Sequence, residues 1–311
     1  MNDVILAVTP NPTLDVSGEV LEVIPNEKIY VKNENRNPGG GGINVARMLT
    51  RLNAPVVASG FFGGGTGDEI KELLDKESIL NRLIRIKGHS RTSLTISNRH
   101  DHNQTRFSFP GPTVSSAEID LLLRRVKQTK MKMLVVGGSL PVGMHAQDIL
   151  NLCRAASCRS IPFVVDSRPK VLRKVLKAKP ILIKPNLLEF QELVGTHAIT
   201  KAGVYQKAQR LLKYCPFVCV SSVESGALLI TRSGTYFGMV PRIEVKSTVG
   251  AGDSMVAAMI FQMIQNNFSG EDLLRWGLAA SAATLQHSGT RLGSQEEIRT
   301  LYRITKIEKY R

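Results

Sequence analysis

From about residue 115 to residue 222 the chain alternates amphipathic helices with short apolar strands, and this alternation limits its fold more than any other feature. Helix 115–128 precedes strand 133–138 (MLVVGG), helix 145–157 precedes strand 161–166 (IPFVVD), and helix 168–177 precedes strand 181–186 (ILIKPN). Helices 187–195 and 201–213 then lead into strand 217–222 (FVCVSS). Strands that are apolar at nearly every position must be covered on both faces, which predicts an α/β fold with a mainly parallel central sheet flanked by helices. A hairpin is expected over 227–240, and the last 60 residues read as helices. The first third differs. VILAVT (4–9) has the pattern of a buried strand, while 15–23 and 27–34 alternate like half-exposed strands. Strands 91–98 and 105–110, joined by the polar turn 99–104, repeat that pattern. Together they predict a small antiparallel sheet outside the main core. No linker, repeat or low-complexity stretch divides the chain, so 1–311 reads as one α/β domain with a β lid from about 12–36 and 90–110.

Composition narrows the function. Hydrophobic residues make up 42% and charged residues 22%, ordinary values for a globular protein with a sizeable core. No apolar run reaches the roughly 18 residues of a membrane span. The N-terminus has no basic leader and reads as a first strand, so no membrane association is expected and the cytoplasm is the expected location. Cys153, Cys158, Cys215 and Cys219 form no C-x-x-C pair, lie in apolar segments, and read as small buried hydrophobes. The net charge of +15 is the unusual figure. Its basic runs, 124–132 and 170–179 among them, look like solvated faces, and aromatics at 5% of the chain do not interleave with them. Nucleic acid is therefore not the expected partner; an anionic small substrate suits the charge.

Two glycine-rich segments carry the chemistry. Ser247-Thr248-Val249-Gly250-Ala251-Gly252-Asp253-Ser254 follows a strand-like IEVK and opens a long apolar helix. Small residues there let successive N–H groups turn toward an anion, and the helix dipole adds to the attraction. Asp253 in such a hole would repel a phosphate unless it serves to take a proton from an attacking hydroxyl. As a plain first-turn carboxylate it would be equally ordinary on spacing alone. The second segment is Pro38-Gly39-Gly40-Gly41-Gly42-Ile43-Asn44-Val45-Ala46-Arg47, in which the glycines allow close backbone approach and Asn44 offers a donor and an acceptor. No G-x-x-x-x-G-K-[ST] occurs, which excludes a P-loop, and the protein-kinase motifs are absent.

In this order and spacing the two segments resemble the signatures of the ribokinase-like (PfkB-type) carbohydrate kinases. The opening T-P-N-P-x-L-D, G-S-L-P at 138–141, K-P-N-x-x-E at 184–189 and G-T-R at 289–291 extend the resemblance over nearly the whole chain. It implies an ATP-dependent phosphotransferase using Mg²⁺. Asp253 would be the base, with the amides of Gly250, Ala251 and Gly252 forming the anion hole. Asp15, Gly40, Gly41, Gly42, Asn44 and Ser139 match sugar-contacting positions. Arg91 matches a phosphate contact, with Arg106 a second candidate and Lys28 a third that reaches the region from a partner subunit. Lys184 and Asn186 lie where the family meets ATP, and Glu189 would order Mg²⁺ through water. Ser221 and Gly226 resemble the ends of the nucleotide loop S-x-G-x-x-G, in which Val223 replaces the usual first glycine. Ser281 is expected to flank the adenine. The Asp beside a monovalent-cation site is Ser247 here, so K⁺ would depend on carbonyls near Val249, Gly289 and Arg291. Gly41 stands where 1-phosphofructokinases and tagatose-6-phosphate kinases usually carry Lys, which points to fructose 6-phosphate among phosphorylated ketohexoses. The resemblance also implies a homodimer packed through the lid, with strands 15–23 and 91–98 as the surface.

Overall fold

The computed structural model describes residues 4–101, 103–265 and 268–310. The expected 1–311 domain thus has residues 1–3, 266–267 and 311 outside the described residues, as is His102 of the expected turn 99–104. The chain starts in a large sheet with β1 (Ile5–Thr9), then forms β2 (Thr13–Val20) and β3 (Lys32–Gly39) of a smaller one before helix α1 (Gly41–Arg51). It returns through β4 (Val56–Phe62), α2 (Gly64–Lys76) and β5 (Asn81–Arg85), and completes the small sheet with β6 (Arg91–Asn98) and β7 (Gln104–Ser108). The expected alternation follows as α3 (Ser116–Gln128), β8 (Met133–Gly137), α4 (Ala146–Ser157), β9 (Phe163–Asp166), α5 (Pro169–Val175) and β10 (Leu182–Ile183). Next come α6 (Leu187–Val194), α7 (Lys201–Leu211), β11 (Phe217–Val223), β12 (Gly226–Thr231) and β13 (Thr235–Met239). The chain ends with α8 (Ala251–Met263), α9 (Gly270–Leu285), α10 (Gln295–Ile304) and β14 (Ile307–Tyr310).

The large sheet has the order β14-β13-β12-β11-β10-β9-β8-β1-β4-β5. It is parallel from β5 to β11 and antiparallel from there to β14. β1 shows why the sequence demanded helices on both faces. Ile5 and Ala7 join the core under α1, α8 and α9, while Leu6 and Val8 join the core under α3 and α4. Strand order runs in opposite directions on the two sides of β1, so a crevice opens beyond the carboxyl ends of β1 and β8, where such sheets bind ligands. α8 is buried on almost every side, with Met255 through Ile260 all in the core, which explains its unpatterned apolar sequence. Among the described residues, no helix is long and apolar enough to cross a membrane.

The small sheet has the order β3-β2-β6-β7: two antiparallel pairs meet along a parallel β2–β6 seam. Four sequence expectations need correction. The strand expected at 27–34 forms instead at Lys32–Gly39, because Pro25 and Asn26 (φ 66°) put a turn before it. Its segment KNENRN has no apolar alternation, and its Pro38 fits an edge strand. The strand expected at 15–23, assigned to an exposed surface, is the mostly buried β2 between β3 and β6. The last 60 residues are not all helical, since β14 closes the edge of the large sheet against β13. Cys158, at the end of α4, is exposed, while Cys153, Cys215 and Cys219 are buried as expected.

Candidate active site

Helix α8 begins at Gly250, whose φ of 76° places it in the left-handed region. No side chain caps that end, so the first-turn amides have no partner within the helix. Asp253 sits in this turn and accepts a hydrogen bond from Asn44 Nδ2 at 2.8 Å. Asn44 belongs to α1, whose entry brings the other glycine cluster close to β8. A Cβ on Gly41 would lie 2.6 Å from the Gly138 amide nitrogen, so only glycine allows that approach. The two sequence signatures, about 200 residues apart, thus converge on one carboxylate-amide pair.

Around this pair lies a cleft of about 350 Å³ that also holds Asp15, Gly40, Gly41, Arg91, Arg106, Ser139 and Glu189. Its electrostatics are uneven. Burial pushes the Asp253 carboxyl up to about 7, assisted by nearby Asp166 and opposed by Asn44 and Lys184. Burial likewise lifts Asp15 to about 6, although Arg91 and Arg47 pull it down. Lys184 Nζ lies 3.8 Å from Asp166 Oδ2. Burial works against the lysine's charge, but Asp166, Cys219, Asp253 and Glu189 together outweigh it and raise its pKa. That ammonium also lies close to Gly252 in the first turn of α8, 3.1 Å from where a Cβ would be.

At the other end, Asn186 caps α6 through a reciprocal pair with Glu189: each side chain accepts from the other's backbone N–H at 2.9 Å. Asn186 also bridges Ser221 in parallel, which brings the expected nucleotide residues to one place. The turn from Ser221 to Gly226 needs left-handed residues, and Ser222, Glu224 and Ser225 supply them with φ of 61°, 46° and 60°. Val223 keeps a negative φ and is 2% exposed in the core, so its replacement of a glycine strains no backbone.

Not every expected residue reaches the cleft. Lys28 lies in the exposed stretch between β2 and β3, its ammonium 4.9 Å from the Tyr30 ring centroid, and does not line the cleft of its own subunit. Ser281 lies on α9 and does not line it either. Arg106 does, and is held by Thr248 Oγ1 at 2.7 Å, just before the anion hole. Arg91 is held by the carbonyls of Asn11 (3.4 Å) and Phe109 (3.3 Å) and by Ser93 Oγ (3.3 Å). Sequence reasoning overlooked Asp166, Arg168 and Arg47. A carboxylate ending an apolar strand at the sheet's carboxyl edge was a readable signal for Asp166. Arg47 is 1% exposed and binds Glu77, Pro38 O, Thr290 O and Asn44 Oδ1, so it holds the Asn44 amide from behind.

Comparison with known proteins agrees with this geometry. The family described as pfkB family carbohydrate kinase matches residues 11–297. The chain is 32% identical to ATP-dependent 6-phosphofructokinase isozyme 2 of Escherichia coli, over 96% of this chain and 97% of that one. It is also 32% identical to 1-phosphofructokinase of Borreliella burgdorferi, over 90% and 91% of the two chains. The crystal structure of phosphofructokinase-2 from Escherichia coli in complex with substrates and products superposes with a TM-score of 0.92. That match has 31% identity and covers 98% of this chain and 99% of the other. Arabidopsis thaliana ribokinase, at 19% identity and a TM-score of 0.75, shares the fold. With Asp253 at the head of α8 and the glycine cluster of α1 facing it, the chain belongs to the pfkB family of carbohydrate kinases and is an ATP-dependent phosphotransferase.

Proposed function

We propose that the chain transfers the γ-phosphoryl group of ATP to the 1-hydroxyl of fructose 6-phosphate, releasing ADP and fructose 1,6-bisphosphate. The observation that carries this reading is the Asn44–Asp253 contact at the free amides of α8, in a cleft that also presents arginines. Asp253 takes the hydroxyl proton as that oxygen attacks phosphorus. The amides of Gly250, Ala251 and Gly252, with Lys184 beside them, stabilise the transferring group's charge. Asp15 and Asn44, with the backbone of Gly40 and Gly41 and the Ser139 hydroxyl, hold the sugar, Gly42 sits behind them against β1, and Arg91 and Arg106 face the phosphate. Lys28 can serve only from a second subunit. Asn186, Ser221 and Gly226 border the nucleotide, with Ser281 as the assigned adenine neighbour.

Glu189 fits a role at Mg²⁺. Its Oε2 is used by the cap, the residue lines the cleft, and burial raises its pKa, a cost that a bound cation would relieve. Among the described residues no cluster of ligands could hold a metal alone, in keeping with an ion that arrives on ATP and keeps its waters. For K⁺, the chain offers a weaker fit. Ser247 has no charge, and its hydroxyl oxygen accepts from the Val249 amide at 3.2 Å. Carbonyls at Val249, Gly289 and Arg291 remain the proposed ligands, and an Escherichia coli relative has been solved with potassium.

The whole chain is proposed to act as one kinase unit, with the small sheet as its lid and a second copy packed against that lid. Tyr30, Val31, Phe107 and Phe109 are exposed there. Sedimentation velocity checks the dimer: a monomer at working concentration rejects it.

The second reading keeps this mechanism with fructose 1-phosphate or tagatose 6-phosphate as acceptor, and the 1-phosphofructokinase relatives favour it. A coupled ADP-release assay with Mg-ATP against fructose 6-phosphate, fructose 1-phosphate, tagatose 6-phosphate and ribose decides. Highest kcat/KM on fructose 6-phosphate supports the proposal. Preference for another phosphorylated ketose replaces the acceptor, and activity on ribose alone rejects a phosphorylated acceptor.

A further inference from the structure

The cleft does not end at Arg91. It opens into an adjoining chamber of about 380 Å³, and the two share Arg91, Ser108, Ser139, Ser167 and Arg168 as walls. The two chambers differ in charge, because the first sets Arg91, Arg106 and Arg168 against four carboxylates. Asp15, Asp166, Glu189 and Asp253 all line the first. The second has Arg91, Arg168 and Lys170 in its wall and no carboxylate. Arg91 is already engaged by two carbonyls and a serine hydroxyl. Arg168 makes no ion pair and no side-chain hydrogen bond among the described residues. Further along α5, Arg173 pairs with Glu192 at 4.0 Å, the one ion pair of this helix among the described residues. Burial lowers the pKa of Arg91; Asp15 opposes that shift and Arg168 adds to it, which sets the two guanidinium groups near each other. Arg91 has Asp15 as a nearby counter-charge, but Arg168 has none among the described residues, and a second cation so placed is costly unless a ligand brings the missing charge.

Ser139 stands at the junction. Its Oγ accepts from Asn11 Nδ2 at 3.2 Å, which leaves the hydroxyl proton free to donate. Arg168 precedes α5 immediately, with its backbone fixed by Val171 and Leu172 amides on its carbonyl at 2.9 and 3.1 Å. The guanidinium therefore projects from a rigid base.

We infer that Arg168 reaches the acceptor's phosphate at the junction of the two chambers, beside Arg91, and is a specificity-determining residue that selects phosphorylated over unphosphorylated sugars. The inference rests on the proposed sugar-phosphate kinase reading and adds to it a residue and a place. An acceptor lying across the junction would put its anionic end among the cations and its reacting hydroxyl among the carboxylates, near Asp253. A planar fork suits a phosphate's paired oxygens better than an ammonium does.

The test is steady-state kinetics of the full chain and of Arg168→Ala and Arg168→Lys, with fructose 6-phosphate, fructose 1-phosphate and fructose as acceptors. For the alanine variant, the ratio of kcat/KM on the preferred phosphorylated acceptor to that on fructose should fall at least about tenfold, through acceptor KM. The lysine variant should keep part of the ratio. An unchanged ratio in the alanine variant overturns the role of Arg168 while leaving the kinase reading intact. An equal loss on fructose and its phosphates also overturns it, since that marks a general structural defect. A wild-type chain that uses only unphosphorylated sugar removes both the inference and the function on which it rests.

Discussion

At the scale of single residues, Asp253 carries the sharpest expectations. Replacement by Asn keeps the shape and the Asn44 neighbour but removes the base, so kcat should fall by roughly 10³-fold while ATP still binds. Isothermal titration with a non-hydrolysable ATP analogue checks the second half; turnover near wild type would dismiss Asp253 as base. With its carboxyl pushed up to about 7 by burial, the free enzyme loses its base as pH falls, and kcat/KM should drop on the acid side with an apparent pKa near that value. The same shift affects stability with the opposite sense. A carboxyl whose folded pKa exceeds its unfolded value binds its proton more tightly when folded. Its contribution therefore declines as pH rises from about 4 to about 7. Asp253→Asn should accordingly melt higher than wild type at pH 8, by about 2 °C or more, as measured by calorimetry. An equal or lower melting temperature would mean that the carboxylate is not strained by its burial.

At the scale of elements, two links hold the site together and neither is visible as a motif. Arg47 fastens α1 to the end of α2 through Glu77 and to the 289–291 segment through Thr290 O. Arg47→Met should cost about 3 kcal/mol, the low end for breaking a buried pair, because Glu77 keeps 27% of its side chain in solvent. Chemical denaturation measures it, and a loss below about 0.5 kcal/mol would reduce the guanidinium to a spectator. The second link joins β7 to the segment that enters α8. Gln104 Nε2 donates to Lys246 O at 3.1 Å, and Arg106 reaches Thr248. Gln104→Ala should therefore speed amide exchange over 247–252 and lower kcat several-fold, up to about tenfold. Unchanged exchange there would show that the lid and the anion hole are independent.

Those links also show what was readable in the chain. The helices 115–128, 145–157 and 201–213 appear within a few residues of their expected places, because apolar spacing and caps such as Ser115 are local. β3 was misplaced because its polar run is held by pairing with β2, a partner that local pattern does not reveal. Asp253 and Asn44 were singled out because the glycines beside them are rare in series. Arg47 and Arg168 were overlooked because a lone arginine has no spacing to betray it.

At the scale of the whole molecule, charge is distributed unevenly. The stretch 124–179 carries thirteen of the 41 Lys and Arg residues but only two of the 26 Asp and Glu, so most of the +15 resides there. The sequence suggested scattered solvated runs; α3, α4 and α5 pack side by side and gather them on one side of the sheet, with Arg168 and Lys170 at the chamber mouth. A field of that sign draws anionic substrates toward the cleft. We expect kcat/KM to fall several-fold between about 50 and 300 mM choline chloride, a salt chosen to avoid alkali-metal effects. A flat response would leave the basic face without a part in substrate capture.

Taken alone, the sequence determined the α/β class, the positions of most helices and the two glycine-rich segments, because apolar periodicity and backbone permissiveness act over a few residues. Only the tertiary structure decided that Asn44 and Asp253 would meet, that burial would raise the carboxyl, and that all four carboxylates would fall in one of two adjoining chambers. Those outcomes depend on which distant strands become neighbours and on how much water remains between the groups they bring together, and no local stretch of chain encodes either.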